Sequence, residues 1–456
     1  MSDARLFIAG SVSALLLGCS ADSNNMAAPV VQFSVPGAAS AINLGQSVNL
    51  AWSSTNATSC TALASGAGAG PFSGMQAVNG HASVAPTATG NVSYTLTCTG
   101  PGGTGMATTP TVTVNPPILS TLATIATIGS TADPIEQGGN PYGLVIAPVS
   151  AGLITAGDLV ICNFNDGATN TQGQGTTIVG LHPAAGSSPY RIAQSAGLLG
   201  CSALGILPDD SIAAAAYSAN QDPLVTSGGT VNTPFSADNL QGPWGQIYVP
   251  AASGRAAALY VSQVYRGAID RISLGGDSQA AFTEIAYGFC TSGAPGALYA
   301  PAGLTYDPNV DTLYVVDTSS NSVVAFAGVS TIGSDGVVVN GNCGANTPPT
   351  PAPTFSGPSA AAARVIANGG QLNGPISAAL LSDGDLVVAN ADLNSPPQVN
   401  LLFEISPALG FVGQPVQLDN GAPGALFGLV ATTDAHGNTI IYFNDDNNNA
   451  VMSLSR

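Results

Sequence analysis

Asn163, Asp317, Asn390 and Asn444 each end a short run of apolar residues, and Asp166, Asp392 and Asp445 follow close behind three of those ends. Such side chains present carboxylate or amide oxygens, and several of them in a ring suit a hard cation such as Ca2+ or a polar ligand. The same residues also finish strands and cap the turns beyond them, because a short Asp or Asn side chain reaches nearby backbone N–H groups. These seven residues form the candidate ligand or metal ring, and the choice between cation site and turn stays open at this level.

Other chemistry is thin. His81, His182 and His436 have no partner at metal-ligand spacing, and neither His-Glu-x-x-His nor Gly-x-Ser-x-Gly occurs, so zinc-protease sites and hydrolase triads are disfavoured. No lysine is present, and all seven positive side chains are arginine, which removes the P-loop lysine and lysine Schiff-base catalysis. No catalytic residue is assigned. The formal net charge of -18 argues against nucleic acid as a partner. Trp244 and Tyr142 occupy matching places two repeats apart and suit either a carbohydrate-binding mouth or packing between repeats.

The elements that must position these residues are short strands. Gly 56 and Pro 32 punctuate a chain that is 45% hydrophobic and only 7% charged, a profile of many strands and turns rather than long helices. The clearest unit is Ala300-Pro-Ala-Gly-Leu-Thr-Tyr-Asp-Pro308, then Asp311-Thr-Leu-Tyr-Val-Val-Asp317, then Asn321-Ser-Val-Val-Ala-Phe326. Related units begin at Pro141, Ala203, Pro243, Pro375 and Phe427, and their middle strands are apolar on both faces, as strands buried between neighbouring sheets must be. The last unit reaches Arg456 without an outer strand, so the segment 122–128 is expected to cross over and supply it.

Residues 1–18 carry Arg5 and then an apolar run, 6–17, that is too short to span a bilayer and reads as an export signal. Six cysteines lie beyond the leader: Cys60, Cys98, Cys162, Cys201, Cys290 and Cys343. An even number in an exported chain suggests disulfides. Pairing nearest neighbours would keep each bridge inside one domain or between adjacent repeats, although composition alone permits other connectivities.

Three resemblances organise the chain. Leu16-Leu17-Gly18-Cys19 resembles the lipobox of bacterial lipoproteins, which implies acylation of Cys19 and a membrane partner through that anchor, with Ser20 favouring the outer membrane. Residues 19–28 would be a tether. Residues 29–116, with Leu50-Ala-Trp52, Cys60 and Tyr94-Thr-Leu-Thr-Cys98, resemble the immunoglobulin-like modules of bacterial surface proteins, although Trp52 precedes the first cysteine here. Residues 117–456, through Pro-x-Gly-Leu, Leu-Tyr-Val-x-Asp and the Asn-rich turn, are similar to NHL repeats and to the six-bladed propellers of the SMP-30-like gluconolactonase group.

The expected fold class is therefore all-β: an immunoglobulin-like β-sandwich followed by a six-bladed β-propeller. The expected function is that of a lipid-anchored envelope protein whose propeller binds a protein or carbohydrate ligand without catalysis. A metal-dependent lactonase is the alternative that the gluconolactonase resemblance implies, with Ca2+ as a possible cofactor, and a structural envelope subunit is the third.

Overall fold

The computed structural model describes residues 26–235, 239–252, 254–275, 281–291, 299–341, 351–390 and 399–456. Cys19, Cys343 and Asp392 lie outside them, as does the expected leader. Strands and turns carry the described chain, and its helical segments are four 3-10 turns.

The first strands form two sheets around one core. Val30–Ser34, Val48–Thr55 and Gly80–Val84 make one, and a second runs Ala41–Asn43, Val112–Asn115, Gly90–Gly100, Ser59–Ser65, Gly74–Gln76. Alternation decides what is buried: along Gly90–Gly100 the side chains of Val92, Tyr94, Leu96 and Cys98 all point inward. They meet Leu50, Trp52 and Phe72 in a common cluster. The Cys60–Cys98 disulfide joins residues directly opposite each other on neighbouring strands of one sheet. In antibody domains the hallmark bridge instead crosses between the two sheets, so this module departs from that pattern.

Six further sheets make a ring, each entered from the centre outward. The first blade is Gly139–Ile146, Leu159–Asn165, Thr177–Leu181 and Tyr190–Gln194, and the second is Cys201–Ile206, Ile212–Ala216, Asp222–Val225 and Val231–Phe235. The third begins Pro243–Val249, Ala257–Gln263, Ala268–Leu274, Ala281–Tyr287 and is widened by Val337–Asn340 and Thr354–Ser356. The fourth is Pro301–Asp307, Thr312–Asp317, Ser322–Ala327 and Ala363–Asn368, and the fifth Pro375–Leu380, Leu386–Asn390, Leu401–Ser406 and Gly410–Gln417. The sixth is built from both ends of the region: Leu426–Thr433, Thr439–Asp445 and Ala450–Ser455 pair onward with Thr124–Ser130. Thr124 lies opposite Ser455 and Ser130 opposite Ala450, with a register shift between Thr127 and Gly129. The crossover read from the sequence is present, two residues later than expected, and it leaves the last blade no unpaired third strand.

Each innermost strand touches the next around the full circle, the first also meeting the sixth. Every one carries a register shift near its start, between Pro141 and Leu144 in the first blade and between Pro301 and Leu304 in the fourth. In four blades a glycine, Gly143, Gly245, Gly303 or Gly428, sits in that irregularity, where the neighbouring blade comes closest. A Cβ added to Gly245 would stand 2.0 Å from the Ala302 carbonyl oxygen, and one on Gly428 would stand 2.5 Å from that of Tyr142. Backbone-to-backbone approach between blades, rather than turn geometry, therefore explains these two glycines.

Candidate functional site

The innermost strands begin, and the second strands end, at one mouth of the ring, since Pro141 pairs with Asn163, Pro243 with Gln263, Pro301 with Asp317, and Pro375 with Asn390. Directly after these starts stand Tyr142, Ser202, Trp244, Ala302, Ile376 and Phe427. Tyr142 stacks on Phe164 at 4.3 Å between ring centroids, and Trp244 meets Tyr142 edge-on at 5.4 Å and Tyr217 at 5.3 Å. Both Tyr142 and Trp244 are buried, so the two residues matched in the sequence pack against one another across the mouth. Burial pushes the Tyr142 hydroxyl far above its ordinary pKa, with the Asp446 carboxyl adding to the effect.

A cavity of about 330 Å³ is lined by residues of all six innermost strands. Its wall is made largely of aliphatic and aromatic side chains, and among the described residues none that line it is Asp, Glu, His, Cys or Arg. Polar character comes from a few groups. Gln246 is buried with its side-chain amide beside Asp222, and among the described residues the Ser377 hydroxyl lacks a partner. Behind Gln246 lies Asp222, fully buried in the second blade, whose carboxyl is pushed up to about 7 by burial, with the Gln246 amide and the Ala214 N–H offsetting part of the rise.

The candidate ring residues that are described sit near that mouth, each engaged locally. Asn163 donates to the Thr131 carbonyl at 3.0 Å and to Thr177 Oγ1 at 3.1 Å, leaving its buried Oδ1 unpartnered. Asp317 is buried and accepts from the Ser319 N–H and hydroxyl and from the Ser320 hydroxyl; burial raises its pKa against those donors. Asn390 accepts from the Asn373 N–H and donates to the Gln371 carbonyl, tying down the approach to its own blade. Asn444 donates to the Tyr142 and Gly143 carbonyls, bridging the sixth blade to the first. Asp445 accepts from the Asn448 N–H and amide, and Asp166 from the N–H groups of Thr169 and Thr171, the latter holding its carboxyl below the usual range. Asp392 is outside the described residues.

Among the described residues, the acidic side chains that converge are others. Asp383, Asp385 and Glu404 in the fifth blade each offer an oxygen within 4.8 Å of the other two. They face the module that precedes the propeller: Asn43 Nδ2 donates to Asp383 at 2.8 Å, Gln46 Nε2 to Asp385 at 3.0 Å, and the N–H groups of Ile118 and Leu119 to Glu404. Burial first, then the neighbouring carboxylates, pushes Asp385 up to about 8. Burial likewise raises Glu404 to about 7, against the Leu119 N–H. Sequence reading passed over this cluster, because Asp-Gly-Asp at 383–385 has the composition of an ordinary hairpin turn.

No protein-family model and no curated protein matches this chain. Among solved structures, a catalytically inactive virginiamycin B lyase from Staphylococcus aureus with quinupristin is similar at 14% identity and a TM-score of 0.41, over 73% of this chain and 99% of that one. A gluconolactonase from Xanthomonas campestris is similar at 11% identity and a TM-score of 0.44, over 70% and 87% respectively. A streptogramin B lyase matches at 12% identity and a TM-score of 0.41, over 75% and 100%.

Two disulfides bear on the compartment. Besides Cys60–Cys98, Cys162 on the second strand of the first blade is bonded to Cys201 at the start of the second blade. Cys290 is also disulfide-bonded, and Cys343, its expected partner, lies outside the described residues. These bridges are compatible with an exported protein in an oxidising environment.

Proposed function

We propose that the propeller is a non-catalytic binding module that takes a small, uncharged, largely apolar ligand into its central channel. One observation carries this reading: all six innermost strands line the cavity, yet among the described residues none that line it is Asp, Glu, His, Cys or Arg. General acid–base catalysis needs a titratable group within hydrogen-bond reach of the reacting atoms, and a hard cation needs several oxygen ligands. Tyrosine is the titratable type in this wall, and the buried Tyr142 hydroxyl is held neutral. An apolar wall with few polar groups is the usual form of a small-molecule pocket.

The rest of the proposal concerns placement. Acylation of Cys19 would hold the chain on the envelope, most naturally the outer membrane, with the first two sheets serving as an immunoglobulin-like spacer. The disulfides support export; the anchor rests on the Leu16–Cys19 motif alone.

Titration of the protein with Nile red tests the channel. The dye is expected to brighten on binding and to quench the emission of Trp244, with Ala203→Leu, which adds bulk at a partly exposed lining residue, weakening binding at least tenfold. Binding that a folded Ala203→Leu leaves unchanged would sink the channel reading. In parallel, hydrolysis of glucono-δ-lactone with Ca2+, Mn2+ or Zn2+ is expected to stay at the uncatalysed rate, and metal-dependent turnover would establish the lactonase instead.

A further inference from the structure

Asp385 and Glu404 are 0% and 1% exposed, while Asp383 is partly exposed beside them. Three carboxyl groups are thus gathered where the propeller meets the loop that carries Asn43 and Gln46, and no ion pair with an arginine or histidine is formed by any of them among the described residues. Their hydrogen-bond donors are side-chain amides, backbone N–H groups and the Ser406 hydroxyl, which supply dipoles but no compensating charge. Moreover, Asp385 Oδ2 is buried without any hydrogen-bond partner, an arrangement that is costly for a carboxylate unless something else occupies that oxygen.

We infer that Asp383, Asp385 and Glu404 bind a divalent cation, Ca2+ by preference, that clamps the N-terminal module to the fifth blade. The spacing fits. Oxygens around one Ca2+ lie about 2.3–2.6 Å from it, so any two are separated by at most about 5 Å, and the three carboxylates offer oxygens within 4.8 Å of one another. The donor set is oxygen alone, which suits a hard cation and disfavours Zn2+ or Cu2+. Turning over the side-chain amides of Asn43 and Gln46, whose N–H groups donate to Asp383 and Asp385 in this structure, would bring their carbonyls into the shell, and water can complete it. Gly45 lies hard against the site, since a Cβ there would stand 2.2 Å from Asp385 Oδ2, and its carbonyl accepts from the Ser406 hydroxyl at 2.6 Å. The ion would therefore tie two regions of chain that are otherwise linked here by single hydrogen bonds. Neither the seven residues expected as a ring nor the channel takes part, so this site stands independently of the binding proposal.

Equilibrium dialysis of the exported chain against CaCl2, followed by metal analysis, tests the inference. About one equivalent of Ca2+ per chain is expected, with Asp385→Asn lowering affinity at least tenfold. EGTA is expected to lower the thermal midpoint of the wild-type chain and to leave that of Asp385→Asn unchanged. Asp383→Asn, at the partly exposed ligand, provides the same comparison should Asp385→Asn fail to fold. Absence of bound Ca2+ in the wild type, or equal binding by a folded ligand variant, overturns the clamp and leaves shared protons as what neutralises the cluster.

Discussion

The ring of Tyr142 stacks on Phe427 with 3.7 Å between centroids and 15° between planes, so the first blade and the sixth meet face to face at the channel mouth. Asn444 reinforces the same seam by donating to the carbonyls of Tyr142 and Gly143. Phe427→Ala removes a large apolar surface and an aromatic pair from that seam. It is expected to destabilise the propeller by about 3 kcal/mol, read from urea unfolding. An unchanged midpoint would mean that the seam is held by backbone contacts alone.

Gly245 makes a sharper test of how the blades are spaced. A methyl group there would meet the Ala302 carbonyl at 2.0 Å, and only movement of one blade away from the next relieves the clash. Gly245→Ala is expected to cost about 2–3 kcal/mol. Gly333→Ala, with nothing within 4 Å of the new atom, is expected to stay within about 0.5 kcal/mol of wild type. Equal effects at the two sites would refute the close-approach explanation.

The Cys162–Cys201 bridge spans a sequence separation of 39 and links two adjacent blades. Closing a loop of that length stabilises by about 4 kcal/mol when the restriction of the unfolded chain is the main effect. Replacing both cysteines with alanine is expected to lower the unfolding free energy by that order, measured against the intact protein under non-reducing conditions. Reductant should then have no further effect on the stability of this blade pair in the variant.

Asp222 makes stability depend on pH. Its carboxyl is raised to about 7 in the fold by burial, whereas an exposed aspartate titrates near 3.9. The folded state therefore holds the proton more tightly than the unfolded one. The contribution is fully present below about pH 4, is lost progressively as pH rises towards 7, and is flat above that. Asp222→Asn keeps the shape without the charge. It is expected to flatten the fall in thermal midpoint between pH 4 and 7 and to make the variant the more stable protein at pH 8. A variant with the wild-type slope would show that Asp222 is not responsible.

Much of the architecture was legible because strand pairing leaves a local trace. The fourth unit predicted its own blade, in which the structure sets Asp317 opposite Pro301. The missing outer strand of the last unit pointed to the crossover that Thr124–Ser130 supplies. The β-branched and aromatic runs Phe282-Thr-Glu-Ile-Ala286 and Arg364-Val-Ile-Ala367 likewise carry strand patterns and fall within the outer strands Ala281–Tyr287 and Ala363–Asn368. The second unit was harder: its third and fourth strands, Asp222–Val225 and Val231–Phe235, left too short and polar a pattern to be recognised.

What the amino-acid order determined by itself was the all-β class, the repeated unit with its glycines, and the cysteines available for bridging, since these depend on period, turn chemistry and composition along neighbouring residues. What only the tertiary structure decided was convergence. Asn43 meets Asp383 across 340 positions of chain, and Tyr142, Trp244 and Phe427 join at one mouth. The physical reason is that ring closure and the docking of the first module bring distant side chains together at separations that no local periodicity encodes.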